Sequence, residues 1–222
     1  MLQRQAQCDN DKLNVTTTNK FRRIENLETM EKGNITGKSI IFSAPSGAGK
    51  TTIVKHLLTK FPNLKFSVSA CSREPRPGEI DGKDYHFLGV EGFKQKINEN
   101  AFLEWEEVYA NNYYGTLFSV VEDMWQEGKV VLFDVDVLGG INIKSKLGSK
   151  ALSVFVQAPS IEELENRLRG RSTETEDKIQ MRMARAEEEL AMAHRFDVIL
   201  ENDVLEDACL RAEKLIADFL NH

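Results

Sequence analysis

Lys50, Thr51 and the glycines before them have the types and spacing of a triphosphate-binding loop. The run Ser43-Ala44-Pro45-Ser46-Gly47-Ala48-Gly49-Lys50-Thr51-Thr52 fits G-x-x-x-x-G-K-[ST], with Ala44 where the first Gly is expected. Successive backbone N–H groups in such a loop, and at the N-terminus of the helix it opens, form a concave anion site. Gly47 and Gly49 let that backbone approach phosphate oxygens without a Cβ in the way. Lys50 supplies a cation for the β- and γ-phosphates, and the Thr51 hydroxyl can ligate Mg²⁺.

A second set of polar groups follows. Arg73 and Arg76 sit among Pro75, Pro77 and Gly78, and Tyr85 and Tyr114 add phenol hydroxyls. Guanidinium forks and phenols suit a second phosphate. The alternative for the arginines is a solvated turn, and for each tyrosine core packing with a tethered hydroxyl. Asp134 and Asp136 end an apolar run, where a parallel sheet presents its ligand-binding edge.

The elements that position these groups read as alternating strands and helices. Ser39–Ser43 is an apolar, β-branched strand, and Val54, Leu57, Leu58 and Phe61 mark one face of the helix after the loop, which Pro62 stops. Lys65–Cys71 alternates as a strand, Asp81-Gly82 signals a hairpin turn before Tyr85–Leu88, and Phe93–Asn98 reads as a short helix. Phe102–Val108 is a strand, followed by an unusual cluster from Tyr109 to Thr116. A helix with Leu117, Val120, Val121 and Met124 on one face ends at Gly128, and Val130–Asp136 is a buried strand. After a helix through Ile141 and Ile143 come the strand Ala151–Val156 and a helix with a capping-box start at Ser160. A loop at Thr173–Glu176, a thinly apolar and loosely packed helix from Asp177 to about Ala193, the strand Phe196–Leu200 and a C-terminal helix complete the chain. The pattern predicts an α/β fold with a parallel sheet flanked by helices, interrupted by an inserted lobe of short strands and turns.

Composition narrows the class. The chain has 222 residues, 41% hydrophobic and 29% charged, enough for a real core. A formal net charge of −6 argues against a general nucleic-acid surface. Three cysteines without C-x-x-C spacing suggest neither a disulfide framework nor a zinc site. No apolar run reaches transmembrane length, no secretory h-region stands at the start, and a soluble cytoplasmic protein is expected. Residues 1–37 read as a flexible extension, within which Met30 is an alternative translation start.

Taken together, the motifs resemble the guanylate kinase family. They comprise the loop Ser43–Thr52, Ser67-Val68-Ser69, Arg73-Glu74-Pro75-Arg76-Pro77-Gly78-Glu79, Gly82, Asp84-Tyr85-His86-Phe87 and Phe102-Leu103-Glu104-Trp105. Asn112-Tyr113-Tyr114-Gly115-Thr116, Asp134-Val135-Asp136 and Arg167-Leu168-Arg169-Gly170-Arg171 continue the series, so the resemblance runs from about Lys38 to the C-terminus. It implies a P-loop kinase core (38–70, 116–170 and 195–222), a mixed α/β GMP-binding lobe (71–115) and a small helical lid (171–194). It also implies transfer from MgATP to GMP, and to dGMP, with ATP and GMP as the small-molecule partners and Mg²⁺ as cofactor. No membrane or nucleic-acid partner is implied, and no oligomeric state.

Residue by residue, the resemblance places Arg73, Arg76, Tyr85 and Tyr114 on the GMP phosphate. Glu104 would accept from the guanine N1–H and 2-amino group, with Ser69 and Thr116 at the base edge. Asp136 would lie near the ribose or, with Asp134 as the alternative, in the Mg²⁺ water shell beside Thr51. Lys50, Arg73, Arg171 and Arg182 would surround the transferred group, residues Ala44 to Thr52 would bind ATP, and Asn202 would approach the adenine. The chemistry of Glu104 agrees, because a carboxylate pairs with two adjacent donors, which guanine has and adenine lacks. The alternative is that Glu104 is one of several surface acids, with Glu106 and Glu107 close by. Cys71 and Ser72 stand where the family usually has two threonines, for which modest effects on affinity are expected. The rival readings are a phosphopeptide-binding module of the same fold, a sugar-phosphate kinase and a different nucleotide kinase.

Overall fold

Five strands make the first sheet of the fold, seen in a computed structural model that describes residues 37–170 and 176–221. Chain order gives β1 (Ser39–Ser43), β2 (Leu64–Phe66), β7 (Val130–Asp134), β8 (Ala151–Gln157) and β9 (Val198–Glu201). They lie in the order β2-β7-β1-β8-β9, and every pairing is parallel. β1 is central and buried along its whole length, as a strand covered on both faces must be. On one face, α1 (Lys50–Lys60) and α7 (Leu205–Asn221) bring Ile53, Leu57, Ala212 and Ile216 against Ile40, Phe42, Leu132 and Val154. On the other, α4 (Val137–Leu147) packs Val137 and Ile141 on Phe155, Ala193 and Phe196. The expectations for residues 1–36, for Arg171 and for the 173–175 loop lie outside the described residues.

Gly140 fixes how close α4 comes to β1. A Cβ there would stand 2.3 Å from Ser43 Oγ, which is fully buried and donates to Asp136 O at 2.9 Å. Gly140→Ala must push the helix off the strand, and thermal unfolding should show a loss of about 1–3 kcal/mol.

The second sheet is mixed. β3 (Ala70–Cys71), β4 (His86–Phe87), β5 (Phe102–Tyr109) and β6 (Asn112–Leu117) lie in the order β4-β3-β6-β5. With α2 (Gly89–Asn98) the sheet encloses Ala70, Phe93, Phe102 and Tyr113, the Phe93 and Phe102 rings stacked at 4.3 Å. Ser72 ties β3 to the β5–β6 turn by donating to Asn111 O at 3.0 Å and accepting from Tyr113 N–H at 2.8 Å.

The structure corrects several sequence expectations. Lys65–Cys71 is not one strand: β2 pairs in the first sheet and β3 in the second, with Ser67–Ser69 crossing between them. Alternation marks an extended chain but does not choose its partner. Asp81-Gly82 closes a local turn, with Gly82 N–H on Tyr85 O at 2.8 Å, rather than joining two hairpin strands. Pro75 and Pro77 have no N–H to offer a preceding strand, and β4 pairs parallel with β3 instead. The Tyr109–Thr116 cluster is the true hairpin, turning at Ala110-Asn111 with Asn111 at φ 59°. Leu117, assigned to a helix face, ends β6, and α3 (Phe118–Gln126) starts one residue later. The strand Val130–Asp136 stops at Asp134, because Asp136 caps α4 by accepting from Gly139 N–H at 2.8 Å. Ser160 caps α5 (Ile161–Arg169) as its spacing predicts, accepting from Glu163 N–H at 3.1 Å.

The helix from Asp177 is anchored more firmly than its thin stripe suggests. In α6 (Glu176–Ala191), Ile179 and Met183 pack on Leu168, and Ala186 joins the main core.

Candidate active site

The phosphate-binding loop hangs between the end of β1 and the start of α1, beside the end of β7. Gly47 and Gly49 adopt φ of 95° and 91°, the left-handed region that glycine enters without strain. Ala44 is outside the positive-φ set and is buried in the core, so the first loop position needs no glycine here. Lys50 pairs with the Asp134 carboxylate and donates to Val135 O at 2.8 Å, which holds its ammonium over the loop mouth. Thr51 and Thr52 are exposed at the first turn of α1.

Asn202 sits behind this loop. It is 4% exposed, and its Nδ2 donates to Ala48 O at 2.8 Å, while its own carbonyl accepts from Arg167 Nη1 at 2.9 Å. A Cβ on Gly49 would lie 2.2 Å from that same Nδ2. Asn202 therefore braces the loop. Asn202→Ala leaves Ala48 O buried without its donor, at a cost of about 1–3 kcal/mol. Steady-state kinetics should show a KM for ATP raised roughly tenfold with the KM for the acceptor little changed.

α6 roofs the loop. Arg182 Nη1 donates to Ser46 Oγ at 3.1 Å, and Arg185 Nη2 approaches Asp136 Oδ2 at 3.5 Å. Lys178, Met181, Arg182, Arg185 and Glu189 line the cavity, of about 810 Å³, from the α6 side. Arg185 Nε also donates to Glu189 at 2.9 Å, and burial raises the Glu189 carboxyl above its ordinary value against the lowering effect of Arg185. Sequence reading found only Arg182 on this helix. The signal for the others was their spacing: positions 178, 181, 182, 185 and 189 share one helix face, which adjoins the apolar stripe.

The second half of the site is the β5–β6 face. Glu104 lies opposite Thr116, and Glu106 opposite Tyr114. Glu104 is 7% exposed and accepts from Thr116 Oγ1 at 2.7 Å. Burial pushes its carboxyl up to about 7, with the Thr116 hydrogen bond lowering it and the Asp136 charge raising it. Glu104 is thus no surface acid. Glu106, read as a surface acid too, reaches across to hydrogen-bond Asp136, and burial followed by the Asp136 charge pushes its carboxyl up.

Beyond Tyr114 stands an arginine–aromatic group. The Tyr85 and Tyr114 rings meet edge-on at 5.9 Å, and the Arg73 guanidinium lies 4.9 Å from the Tyr85 centroid and 5.5 Å from that of Phe87. Both Nη atoms of Arg73 hold Glu79, at 2.6 and 2.7 Å, and Glu79 also accepts from the Arg76 N–H at 2.7 Å. The Arg73 pair, then the Arg76 hydrogen bond, lower the Glu79 carboxyl to about 2. Glu79 thus occupies the fork that would grip a phosphate, and its spacing from Arg73 gave no sign of this. Arg76 is exposed on the same turn, and Ser69 is half-buried at the strand crossing, its carbonyl accepting from His86 N–H at 2.9 Å.

Asp136 is the seam. It lines the loop cavity, caps α4, faces Arg185 and touches Glu106. Gly139 keeps this junction open, since a Cβ there would lie 3.1 Å from Asp136 Oδ1 and 3.3 Å from Glu104 Oε2. Asp136 therefore links the loop cavity to the buried carboxylate face of the second sheet.

Known proteins resemble this chain in sequence and in fold. The guanylate kinase family profile matches residues 36–219. A curated guanylate kinase from Bacteroides thetaiotaomicron is 52% identical over 187 residues, covering 84% of this chain and 92% of its own. One from Porphyromonas gingivalis is 48% identical over 184 residues, covering 82% and 98%. The crystal structure of guanylate kinase from Anaplasma phagocytophilum superposes with a TM-score of 0.63 at 27% identity, covering 82% of this chain and 85% of that one. With a matched profile over most of its length and relatives at about half identity, this chain belongs to the guanylate kinase family.

Proposed function

We infer that this chain transfers the γ-phosphoryl group of ATP to GMP, giving ADP and GDP. The observation that carries the reading is the meeting, at Asp136, of a phosphate-binding loop with a buried carboxylate face. ATP places its phosphates on residues Ala44 to Thr52, the loop that Asn202 braces from behind. GMP lies along the second sheet. Its base meets Glu104 and Thr116, with Ser69 at the edge, and its phosphate meets Arg73, Arg76, Tyr85 and Tyr114. dGMP, which keeps the same base and phosphate, is accepted as well.

In-line transfer leaves the protein two tasks, holding the two phosphates in register and neutralising charge as it spreads. Lys50 exchanges Asp134 for oxygens of the β- and γ-phosphates. Arg73 exchanges Glu79 for the acceptor phosphate, a swap of one oxyanion for another on the same fork. Arg182 on α6 sits at the loop mouth and, with Arg171, brings positive charge to the transferred group while the helix keeps water out.

Mg²⁺ fits this donor set. Thr51 offers one exposed hydroxyl, Asp134 offers a carboxylate beside it, and among the described residues no cluster of three or more acidic, histidine or cysteine groups could cage a metal alone. Thr51 and, through water, Asp134 or Asp136 would hold the ion, which would supply charge neutralisation at the phosphates. Chelation with EDTA should abolish turnover and excess Mg²⁺ should restore it.

The second sheet and α6 act as the GMP lobe (71–115) and the lid (171–194) on the core, as their placement around the cleft suggests. Among the described residues no helix is long and apolar enough to cross a membrane, and Cys71 and Cys209 are buried free thiols. We place the reaction in the cytoplasm. A phosphopeptide-binding module would have no use for Lys50 and Thr51 at a cavity of about 810 Å³. Incubation with ATP, Mg²⁺ and GMP, with products separated by anion exchange, should yield GDP and ADP in equal amounts. Bound but unconverted GMP would favour the module.

A further inference from the structure

Glu106 is unlike the other acids near it. Strand alternation puts Glu104 and Glu106 on one face of β5, with Thr116 and Tyr114 opposite them on β6. Trp105 and Glu107 take the other face. Along the cleft the order is therefore Glu104 with Thr116, then Glu106 with Tyr114, then the Arg73–Tyr85 group. On the reading above, the first pair faces the guanine and the last group the phosphate. What lies between base and phosphate in a nucleotide is the ribose.

We propose that Glu106, together with Asp136, holds a ribose hydroxyl of the acceptor nucleotide. This rests on the GMP reading of the same cleft. Glu106 spans from the second sheet to the N-cap of α4, where its carboxyl meets that of Asp136. A hydroxyl is donor and acceptor at once. Its O–H can donate to a carboxylate oxygen of either group. A phosphate is repelled by this pair, and the cation it attracts is already present as Arg185, 3.5 Å from Asp136 Oδ2. Glu106 is thereby a specificity residue for the sugar, where Glu104 is one for the base.

The test is steady-state kinetics of Glu106→Ala with GMP, 2′-deoxy-GMP and 3′-deoxy-GMP. The KM for GMP should rise about tenfold, with kcat within about twofold and the KM for ATP unchanged, because a hydrogen bond to a charged group is lost. With the analogue that lacks the contacted hydroxyl, the same substitution should change KM by less than about twofold. Glu106→Gln, which keeps an acceptor oxygen and gains a donor, should restore most of the GMP affinity. Should the alanine variant fail to fold, Glu106→Thr gives the same comparison. An equal loss on all three acceptors, or no loss on GMP, overturns the proposal. If instead wild-type enzyme fails to prefer GMP over AMP, the reading of the base site falls first, and that result is separable from any behaviour of the Glu106 variants.

Discussion

Lys50→Ala should lower kcat by roughly 10³-fold while leaving the KM for GMP within a few fold, because the lost cation acts on charge that develops in transfer. Lys50 is the only side-chain cation reaching the loop from α1, and its ammonium is already oriented by Asp134 and Val135 O. Arg182 comes to the loop from α6 and holds Ser46 Oγ, whereas Lys50 holds Asp134 and Val135 O. The same substitution leaves Asp134 half-buried and without its ion-pair partner, so melting curves of the variant separate lost catalysis from lost fold. Turnover at the wild-type rate would remove the loop from the mechanism.

The second large effect belongs to Glu104. Guanine offers N1–H and a 2-amino group side by side, and an ionised carboxylate accepts from both. Adenine leaves that buried acceptor unpaired, which supports discrimination of roughly 10⁴-fold. Glu104→Gln puts a donor where an acceptor is needed, and the preference for GMP over AMP in kcat/KM should fall by roughly 10²–10³-fold. An undiminished preference would take Glu104 out of base recognition.

Its titration adds a pH signature. Burial holds the free carboxyl at about 7, so at pH 6 only a minority of molecules carry the ionised acceptor. GMP binding needs that ionised form, and the KM for GMP should fall about tenfold between pH 6 and pH 8, a dependence that Glu104→Gln loses. Stability moves the opposite way. A carboxyl raised from 4.5 to about 7 stabilises the substrate-free fold most below its unfolded value, and that contribution is lost as pH rises through about 7. Glu104→Gln should therefore melt higher than wild type at pH 8, by an amount on the order of 2–3 kcal/mol, and show little of this gain at pH 4.

The candidate donor half was the more legible from sequence, for a physical reason. Ser43 to Thr52 is contiguous, and strand, loop and helix N-terminus follow one another without long-range help. Asp134 was legible as the end of an apolar strand, whereas the capping role of Asp136 needed the start of α4 to be seen. The acceptor half depended on pairing. Acids occur at 104, 106 and 107, on both faces of β5, and only the register with β6 separates Glu104 and Glu106 from Glu107. The break between β2 and β3 was hidden because extended residues alternate alike in either sheet. Asn202 was placed by resemblance at the adenine side, yet its amide bonds Ala48 across 154 residues of sequence, a contact no local pattern encodes. Glu79 was hidden differently, as an ordinary acid in a turn until its carboxylate is seen filling the Arg73 fork.

The central claim is that one cleft joins a triphosphate donor to a guanine acceptor. The most direct measurement puts wild-type enzyme, ATP and Mg²⁺ in one tube with equal concentrations of GMP and AMP and follows both acceptors by chromatography. The account predicts that GMP is converted to GDP while AMP remains untouched. Consumption of AMP at a rate comparable to that of GMP, or of neither, would contradict it.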